Sequence, residues 1–162
     1  MVSDVGPTQQ NGGVDVTASL EAAVEGEALF GVVSDLGTYP DWLEIVPRAD
    51  PLPTESGDDG PVWSVDLRGQ LGPLRRSKRL RMVRTVLSPA TSVVFERREL
   101  DGRTHSDWIL RAHVDTPRVG TSRLTMELHY GGSMWMPMLD RLLTDEIERS
   151  RTRLLAVLGV AS

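Results

Sequence analysis

The chain has 162 residues, of which 40% are hydrophobic, and a formal net charge of −5; these values predict one globular domain with a substantial core. No apolar run is long enough to span a membrane, and the first 13 residues lack the basic patch and apolar core of a secretory signal, so we expect a cytoplasmic protein. The absence of cysteine excludes disulfides, and with only three histidines the sequence predicts neither a metal site nor a cofactor.

Charge is distributed unevenly along the chain. Residues 1–62 hold twelve acids and one base, whereas residues 63–102 hold nine bases and four acids. Between Arg68 and Arg84, both included, there are seven Lys or Arg and no acid. These bases are either solvated positions in a hairpin or a surface for an anionic partner. The residues that would form such a surface are Arg75, Arg76, Lys78 and Arg79.

The beginning of the chain predicts a tail and one strand. Residues 1–12 are rich in Gly, Gln, Asn and Pro, which predicts a disordered tail, and residues 13–162 form the single predicted domain. From residue 14 to residue 20, apolar side chains alternate with Asp, Thr and Ser. This is the pattern of a strand with one buried face.

Two short helices are predicted after this strand. Residues 25–33 begin with two glutamates, which suit the first turn of a helix, and the helix ends near Asp35. Residues 39–43 form a second short helix, which Pro47 terminates. Residues 50–60 contain Pro, Gly, Ser and Asp at short intervals and predict an irregular strand and turn.

From residue 62 onward, apolar and polar residues alternate, so the inward face of each strand can be assigned. Side chains two residues apart share a face, and the face with the larger apolar residues should be buried. The side chains predicted to face inward are Trp63, Val65, Leu67, Leu71, Leu80, Met82, Val86, Val93, Phe95, Trp108, Leu110, Leu124, Met126, Leu128 and Tyr130.

Three predicted turns determine the strand register. They are a two-residue loop at Asp101-Gly102, a turn at Pro89-Ala90 and a three-residue loop at residues 117–119. A slip by one residue would turn these faces inside out. The resulting predicted pairs are Phe95 with Trp108, Val93 with Leu110, Val86 with Val93, Arg84 with Phe95, and Asp107 with His129.

Residues 133–160 predict a long amphipathic terminal helix. Its acids precede its bases, which suits the helix dipole, and Pro137 falls in the first turn. Asp140, Glu146 and Arg149 are interpreted as solvated charges, whereas Ser150 lies on the apolar stripe, where a small side chain is either tolerated or leaves room for a ligand. The stripe repeats at steps of three and four residues and consists of Trp135, Leu139, Leu142, Leu143, Ile147, Leu154, Val157 and Leu158.

These elements predict an α+β fold. A curved antiparallel β-sheet wraps around a long C-terminal α-helix, with two short helices after the first strand. Because one helix cannot cover the broad inner face of such a sheet, we expect a cavity between the sheet and the helix.

Residues 28–36, Ala-Leu-Phe-Gly-Val-Val-Ser-Asp-Leu, followed by Tyr39-Pro40-Asp41-Trp42, resemble the opening of the START-like, or Bet v 1-like, helix-grip superfamily (SRPBCC). The stretch is similar in particular to the bacterial polyketide cyclase/dehydrase and lipid-transport group. With the strand order and the terminal helix, the resemblance covers nearly all of residues 14–160. It implies a helix-grip fold and one of three roles: binding of apolar ligands, aromatase/cyclase chemistry on polyketides, or a carrier role.

The predicted ligand-binding residues lie on the inner face of the sheet and on the terminal helix. The apolar ones form either a core or a cavity lining, and Trp and Met suit a broad apolar ligand. Arg97 and Glu99 form either a solvated rim or an anchor for a carboxylate or enolate-like oxygen. The histidines fall on the outer face, and no catalytic residue is predicted. The complete set is Trp63, Val65, Leu67, Met82, Arg84, Phe95, Arg97, Ser106, Trp108, Leu110, Met126, Leu128, Tyr130, Leu143, Ile147 and Ser150.

Three functional interpretations remain open, and the first is favoured. The protein binds a hydrophobic small molecule, such as a lipid, fatty acid, isoprenoid or polyketide-like compound, in the cavity. Alternatively, it is a polyketide aromatase/cyclase in which one or two polar groups move protons. Alternatively, it acts without catalysis through the basic hairpin at residues 75–79, on an anionic membrane, RNA or an acidic partner. DNA is not an expected partner, and the sequence leaves the oligomeric state open.

Overall fold

The computed structural model describes residues 13–71, 73–132 and 136–159, and the side chains of residues 70, 71, 74, 136–140, 142 and 143 are not part of the description. The predicted tail, residues 1–12, lies outside the described residues. The elements in chain order are β1 (Val14–Ala22), α1 (Gly26–Val33), a 3₁₀ helix (Leu36–Asp41), β2 (Arg48–Leu52), β3 (Val62–Leu71), β4 (Leu74–Ser88), β5 (Ser92–Arg97), β6 (Trp108–Arg118), β7 (Thr121–Tyr130) and α2 (Met136–Val157).

The seven strands form one curved antiparallel sheet in the order β1-β7-β6-β5-β4-β3-β2. The strands β1 and β2 are the two edges, and the chain passes from one edge to the other through α1 and the 3₁₀ helix. Helix α2 contacts β1, β3 and the 3₁₀ helix. This arrangement confirms the predicted α+β helix-grip fold. No helix in the described part of the chain has both the length and the apolarity that crossing a bilayer requires.

The 3₁₀ helix anchors the chain crossing to the inner face of the sheet. Tyr39 and Trp42 are completely buried, and the Tyr39 ring meets the Phe95 ring edge to face, with 6.3 Å between centroids. The Tyr39 hydroxyl donates a hydrogen bond of 2.8 Å to the Val33 carbonyl at the end of α1. Burial raises the pKa of this hydroxyl well above its usual range, so it stays protonated and keeps donating.

The hairpin between β5 and β6 has the predicted faces but not the predicted register. Phe95 pairs with Leu110 rather than Trp108, and Val93 pairs with Ala112 rather than Leu110. Both predicted pairs are therefore wrong by two residues, because the connection runs from residue 98 to residue 107 and is not a two-residue turn. A shift of two residues keeps the same side chains on the inner face.

The Asp101 carboxylate explains the long connection. It accepts a hydrogen bond of 3.0 Å from the Arg103 backbone N–H and lies 2.9 Å from Nε2 of His105. The first contact satisfies locally the Arg103 N–H, a backbone donor that a two-residue turn would use in the ladder. The backbone bond and then His105 hold the pKa of the Asp101 carboxyl below its usual value.

The β4–β5 hairpin confirms one predicted pair and corrects another. Arg84 pairs with Phe95, as predicted. Val86 pairs with Val94 rather than Val93, because a β-bulge lies between Arg84 and Val86. Val86 is 47% exposed, so its predicted inward position is wrong.

The β6–β7 hairpin also differs from its prediction by two residues. The loop consists of Val119 and Gly120, since the flanking residues pair with each other. Gly120 has φ 80°, a conformation that glycine adopts without steric cost. His129 therefore pairs with Ile109, and the predicted pair with Asp107 is wrong. The inner face is as predicted, with buried side chains at Leu124, Met126 and Tyr130.

Helix α2 agrees with the predicted terminal helix, but its buried face differs from the predicted apolar stripe near its C-terminal end. Trp135 lies outside the described residues, as do the side chains of Leu139, Leu142 and Leu143. Farther along, Val157 is 38% exposed and so does not belong to the buried stripe, whereas Leu155 is 5% exposed and does. The buried face of the last turns therefore includes Ile147, Ser150, Leu154 and Leu155.

A second, smaller apolar cluster lies on the outer face of the sheet. Val62, Val83 and Val94 are buried there, although outer-face residues of such a sheet are usually solvated. Residues 53–61, here called the strap, cross this face after β2. The strap is attached by hydrogen bonds from Arg84 N to Pro61 O (3.0 Å) and from Arg81 Nη2 to Asp58 Oδ2 (2.8 Å).

The strap approaches β4 too closely for any side chain at residue 60. A Cβ atom added to Gly60 would lie 2.4 Å from the Arg84 carbonyl oxygen. We expect Gly60→Ala to lower the free energy of unfolding by about 1–3 kcal/mol, because backbone must move to relieve the overlap. Gly31→Ala is the matched control, because Gly31 lies in α1 with open space around it. Alanine at this position should raise the free energy of unfolding by about 0.5–1 kcal/mol. Urea denaturation measures both, and equal effects would contradict the close approach.

Candidate ligand-binding site

An apolar cavity lies on the inner face of the sheet, beneath the 3₁₀ helix and the segment that follows it. Its volume is about 70 Å³, and the described atoms that line it are apolar. The sheet contributes one wall and the chain crossing the other. The described lining residues are Leu36, Tyr39, Leu43, Ile45, Val46, Val65, Leu67, Leu80, Met82, Trp108, Leu110, Met126 and Leu128.

Seven of the predicted ligand-binding residues lie on this described wall. They are Val65, Leu67, Met82, Trp108, Leu110, Met126 and Leu128. Trp63 and Phe95 are buried beside them, with 5.7 Å between ring centroids, and belong to the core. Ile147 and Ser150 are buried on α2 but are not among the described lining residues, and the Leu143 side chain lies outside the description. Their contact with a ligand stays a prediction.

The opposite wall was missing from the predicted set. It consists of Leu36 and Tyr39 of the 3₁₀ helix and of Leu43, Ile45 and Val46, which follow that helix. The only signal in the sequence is that three of the four residues from 43 to 46 are apolar and precede Pro47. Leu80, on the sheet, was assigned to the inner face but not to the ligand site.

Four of the five polar residues of the predicted site, Arg84, Arg97, Ser106 and Tyr130, are not among the described residues that line the cavity. Arg84 donates from Nη1 to the Ser34 carbonyl at 3.1 Å, so it links β4 to the end of α1. The Tyr130 ring packs against Trp108 with 4.5 Å between centroids. Ser106 offers its backbone carbonyl to Arg97 Nη1 at 3.3 Å.

Arg97 and Glu99 form a shielded ion pair instead of a solvated rim. Their side chains are 7% and 20% exposed, and Arg97 Nε lies 2.7 Å from Glu99 Oε2. The same oxygen accepts a hydrogen bond from Arg81 N at 3.2 Å. The guanidinium is thus neutralised within the protein, which favours a structural role over the predicted role as a ligand anchor.

His113 and His129 occupy outer strand positions, as the alternation predicts, whereas His105 lies in the connection between β5 and β6. His129 Nδ1 lies 2.8 Å from Asp15 Oδ1, which joins β7 to β1 on the outer surface. His113 is exposed. A base on this face cannot reach the inner cavity without passing through the sheet, so the described residues place no imidazole at the cavity.

A second concavity, here called the basic cleft, lies between the β3–β4 hairpin and α2. Its volume is about 650 Å³. Ile45 lines both this cleft and the apolar cavity, so the two are neighbours with a shared wall. The described residues of the basic cleft are Glu44, Ile45, Arg68, Gly69, Arg75, Arg76, Ser77, Glu146 and Arg149.

Glu146 corrects the prediction that this part of α2 carries only solvated charges. Its side chain is 4% exposed, and it accepts hydrogen bonds from the Glu44 backbone N–H and, at 2.7 Å, from Arg149 Nη2. Arg149 is 61% exposed and remains a solvated charge on its outer side. The buried carboxylate therefore joins α2 to the segment that forms one wall of the cavity.

No family model matches the sequence, and no curated protein matches it. Solved structures do match its fold. A START superfamily protein from Mycobacterium smegmatis is 17% identical, with 90% of this chain and 97% of that chain covered and a TM-score of 0.64. A major latex-like protein from Panax ginseng is 13% identical, with coverage of 90% and 97% and a TM-score of 0.61. The Zhui aromatase/cyclase from Streptomyces sp. R1128 is 16% identical, with coverage of 91% and 92% and a TM-score of 0.54.

Proposed function

We propose that the protein binds a hydrophobic small molecule, of lipid, fatty acid, isoprenoid or polyketide-like type, in the cavity on the inner face of the sheet. The proposal rests on the site and on the helix-grip fold, which START-like, Bet v 1-like and aromatase/cyclase structures share. The observation that carries this proposal is the apolar lining of that cavity, which lies within the hydrophobic core. An apolar cavity attracts an apolar ligand because both surfaces leave water on binding.

The cavity must enlarge to admit such a ligand. A volume of about 70 Å³ is smaller than an engineered cavity of about 150 Å³ that accepts benzene. The sheet wall is held by continuous ladders, whereas residues 43–46 belong to no helix or strand. In the described structure, hydrogen bonds join this segment to the rest of the chain at three positions: Leu43 N donates to Tyr39 O (2.8 Å), Glu44 N donates to the Glu146 carboxylate, and Ile45 O accepts from Arg68 N (2.9 Å). We infer that this segment moves outward, since irregular segments open at lower free energy than sheets.

Binding without catalysis is better supported than cyclase chemistry. General acid-base catalysis needs a titratable group within hydrogen-bond reach of the substrate. Among the described lining residues, Tyr39 is the one with a titratable side chain, and its hydroxyl donates to Val33 O. We therefore do not propose for this chain the aromatase/cyclase activity of one structural neighbour.

Filling the cavity is expected to abolish binding of a neutral apolar probe. Leu110 lines the cavity, so Leu110→Trp would place an indole where the ligand should lie. We expect the affinity for N-phenyl-1-naphthylamine, followed by its fluorescence, to fall by about tenfold or more, or about 1.4 kcal/mol. Leu100→Trp is the control, because Leu100 is 62% exposed in the β5–β6 connection.

Two results would overturn the proposed function. One is a failure of the unmodified protein to bind the probe or any alkyl compound. The other is equal binding by Leu110→Trp and Leu100→Trp, which would place the probe elsewhere. Mass spectrometry of organic extracts of the purified protein supplies an independent readout, since a carrier should retain a copurified apolar molecule.

A further inference from the structure

The basic cleft contains cations that no described acid neutralises. Within the described residues, Arg68, Arg75 and Arg76 form no ion pair, whereas nearby Arg79 lies 2.8 Å from Asp66. Of the bases predicted to form an anionic-partner surface, Arg75 and Arg76 thus remain available at the cleft. Unpaired guanidiniums gathered in one concavity raise the local concentration of anions.

Arg76 has a donor that is buried without an acceptor. Its Nε atom is inaccessible to solvent and has no hydrogen-bond partner in the described part of the chain, while its Nη1 donates to the Arg75 carbonyl at 3.0 Å. Alternation along β4 puts Arg76 on the same face as Leu80 and Met82, opposite Gly69, which has no side chain to fill the space. A buried donor without an acceptor is costly, so a ligand oxygen there would be stabilising.

The acids of the cleft do not cancel this charge. Glu146 is paired with Arg149, and Glu44 is paired with Arg153 outside the cleft lining. Four guanidiniums and two carboxylates line the described cleft, which leaves an excess of two positive charges. Because both acids already have partners, an incoming anion meets mainly free guanidinium groups.

The cleft and the apolar cavity are positioned for one ligand. Ile45 lines both spaces, and the consecutive residues Leu67 and Arg68 each line one of them. An apolar chain in the cavity would therefore emerge next to the guanidinium groups when residues 43–46 move. A molecule with an apolar chain and a charged end fits this arrangement better than a neutral hydrocarbon does.

We propose that the protein selects an anionic amphiphile, with its apolar chain in the cavity and its carboxylate or phosphate in the basic cleft against Arg68, Arg75 and Arg76. This inference rests on the proposed function and specifies its ligand class. Guanidinium groups bind both anions through paired N–H donors. The charged end of the ligand determines its affinity for the protein, and the length of its chain determines how far the ligand extends into the cavity.

Competition with N-phenyl-1-naphthylamine tests this selection. Dodecanol, dodecanoate and dodecyl phosphate share one chain and are compared below their critical micelle concentrations. We expect the two anions to bind roughly tenfold or more tightly than the alcohol, with an advantage that decreases as salt is added. The Arg75→Gln/Arg76→Gln variant should lose this advantage and keep its affinity for dodecanol.

The charge-matched control is Arg111→Gln/Arg118→Gln, since both arginines pair with acids on strands away from the cleft. It should keep the preference for anions. Inorganic phosphate and acetate, measured by calorimetry, distinguish a free anion from the end of an amphiphile, and we expect them to bind far more weakly than dodecyl phosphate.

Each contrary outcome has a distinct meaning. Equal affinities for dodecanol and the two anions would overturn the selection while leaving the proposed function intact. An equal loss of dodecanol and dodecanoate binding in the Arg75→Gln/Arg76→Gln variant would also overturn it, because that loss is structural. Inorganic phosphate that binds as tightly as dodecyl phosphate would replace the amphiphile with a free anion. If no alkyl compound displaces the probe, the proposed function itself fails.

Discussion

Glu146→Ala is expected to lower the free energy of unfolding by about 1–3 kcal/mol. The change leaves the Glu44 backbone N–H without its acceptor and removes the partner of Arg149. The Glu146 side chain is 4% exposed, so water does not readily replace the lost bonds. Because these contacts join α2 to residues 43–46, which form one wall of the cavity, we also expect faster exchange of the backbone amides in that segment, measured by hydrogen exchange.

Glu148→Ala is the matched control for this substitution. It removes the same charge from the same helix, two residues away, at an exposed position. Urea denaturation should show a change within about 0.5 kcal/mol for this variant. Glu146→Gln separates the two contributions, since its amide oxygen can still accept from Glu44 N but cannot form the ion pair. Similar losses for Glu146→Ala and Glu148→Ala would contradict the anchoring role.

Asp58→Asn is expected to lower the melting temperature by several degrees near neutral pH. Arg81 donates to both Asp58 oxygens, at 3.1 and 2.8 Å, and the side chains are 11% and 6% exposed. The hydrogen bond from Arg81 is the main reason that the pKa of the Asp58 carboxyl is below its ordinary value of 3.8. The pair also attaches the strap to β4.

The lowered pKa gives this prediction a defined pH dependence. A carboxyl with a lower pKa in the folded state stabilises the fold above its unfolded value of 3.8 and stops doing so as the pH falls through the folded value. The difference in melting temperature between wild type and Asp58→Asn should therefore be largest above pH 5 and shrink below pH 3.8.

Asp59→Asn controls for the loss of a neighbouring charge. Asp59 is 56% exposed and lies 3.8 Å from Arg98, a geometry that contributes little to stability. The melting temperature of the Asp59→Asn variant should match that of the wild type from pH 7 to pH 3. A difference between wild type and Asp58→Asn that does not change with pH would show that the carboxylate charge is not the cause.

Except at Val86, which follows a β-bulge, the faces of the sheet were predictable because they depend on a period of two. Phe95 and Met126 face inward in the structure, as predicted, although two of the three hairpins have other registers. A slip by two residues changes the partner of Phe95 but not its face. The buried face that alternation predicts is therefore more reliable than the strand pairing that turn type predicts.

The features that sequence reasoning missed depend on contacts between distant residues. Asp101 closes a local turn that the Asp-Gly pair alone does not indicate. Glu146 is buried because Glu44 N, 102 positions away, supplies a donor. The cavity wall at residues 43–46 is defined by packing against the sheet, and no periodicity marks so short a segment.

The edge strand β2 has a consequence for self-association. A free sheet edge offers unpaired N–H and C=O groups to which another copy could add a strand. Here the edge is only five residues long, and Pro51 within it has no N–H to donate. Pro47 and Pro53 flank the strand and interrupt the pattern of donors on both sides. The sheet therefore ends at β2 in a form that disfavours the addition of a strand from another copy along this edge.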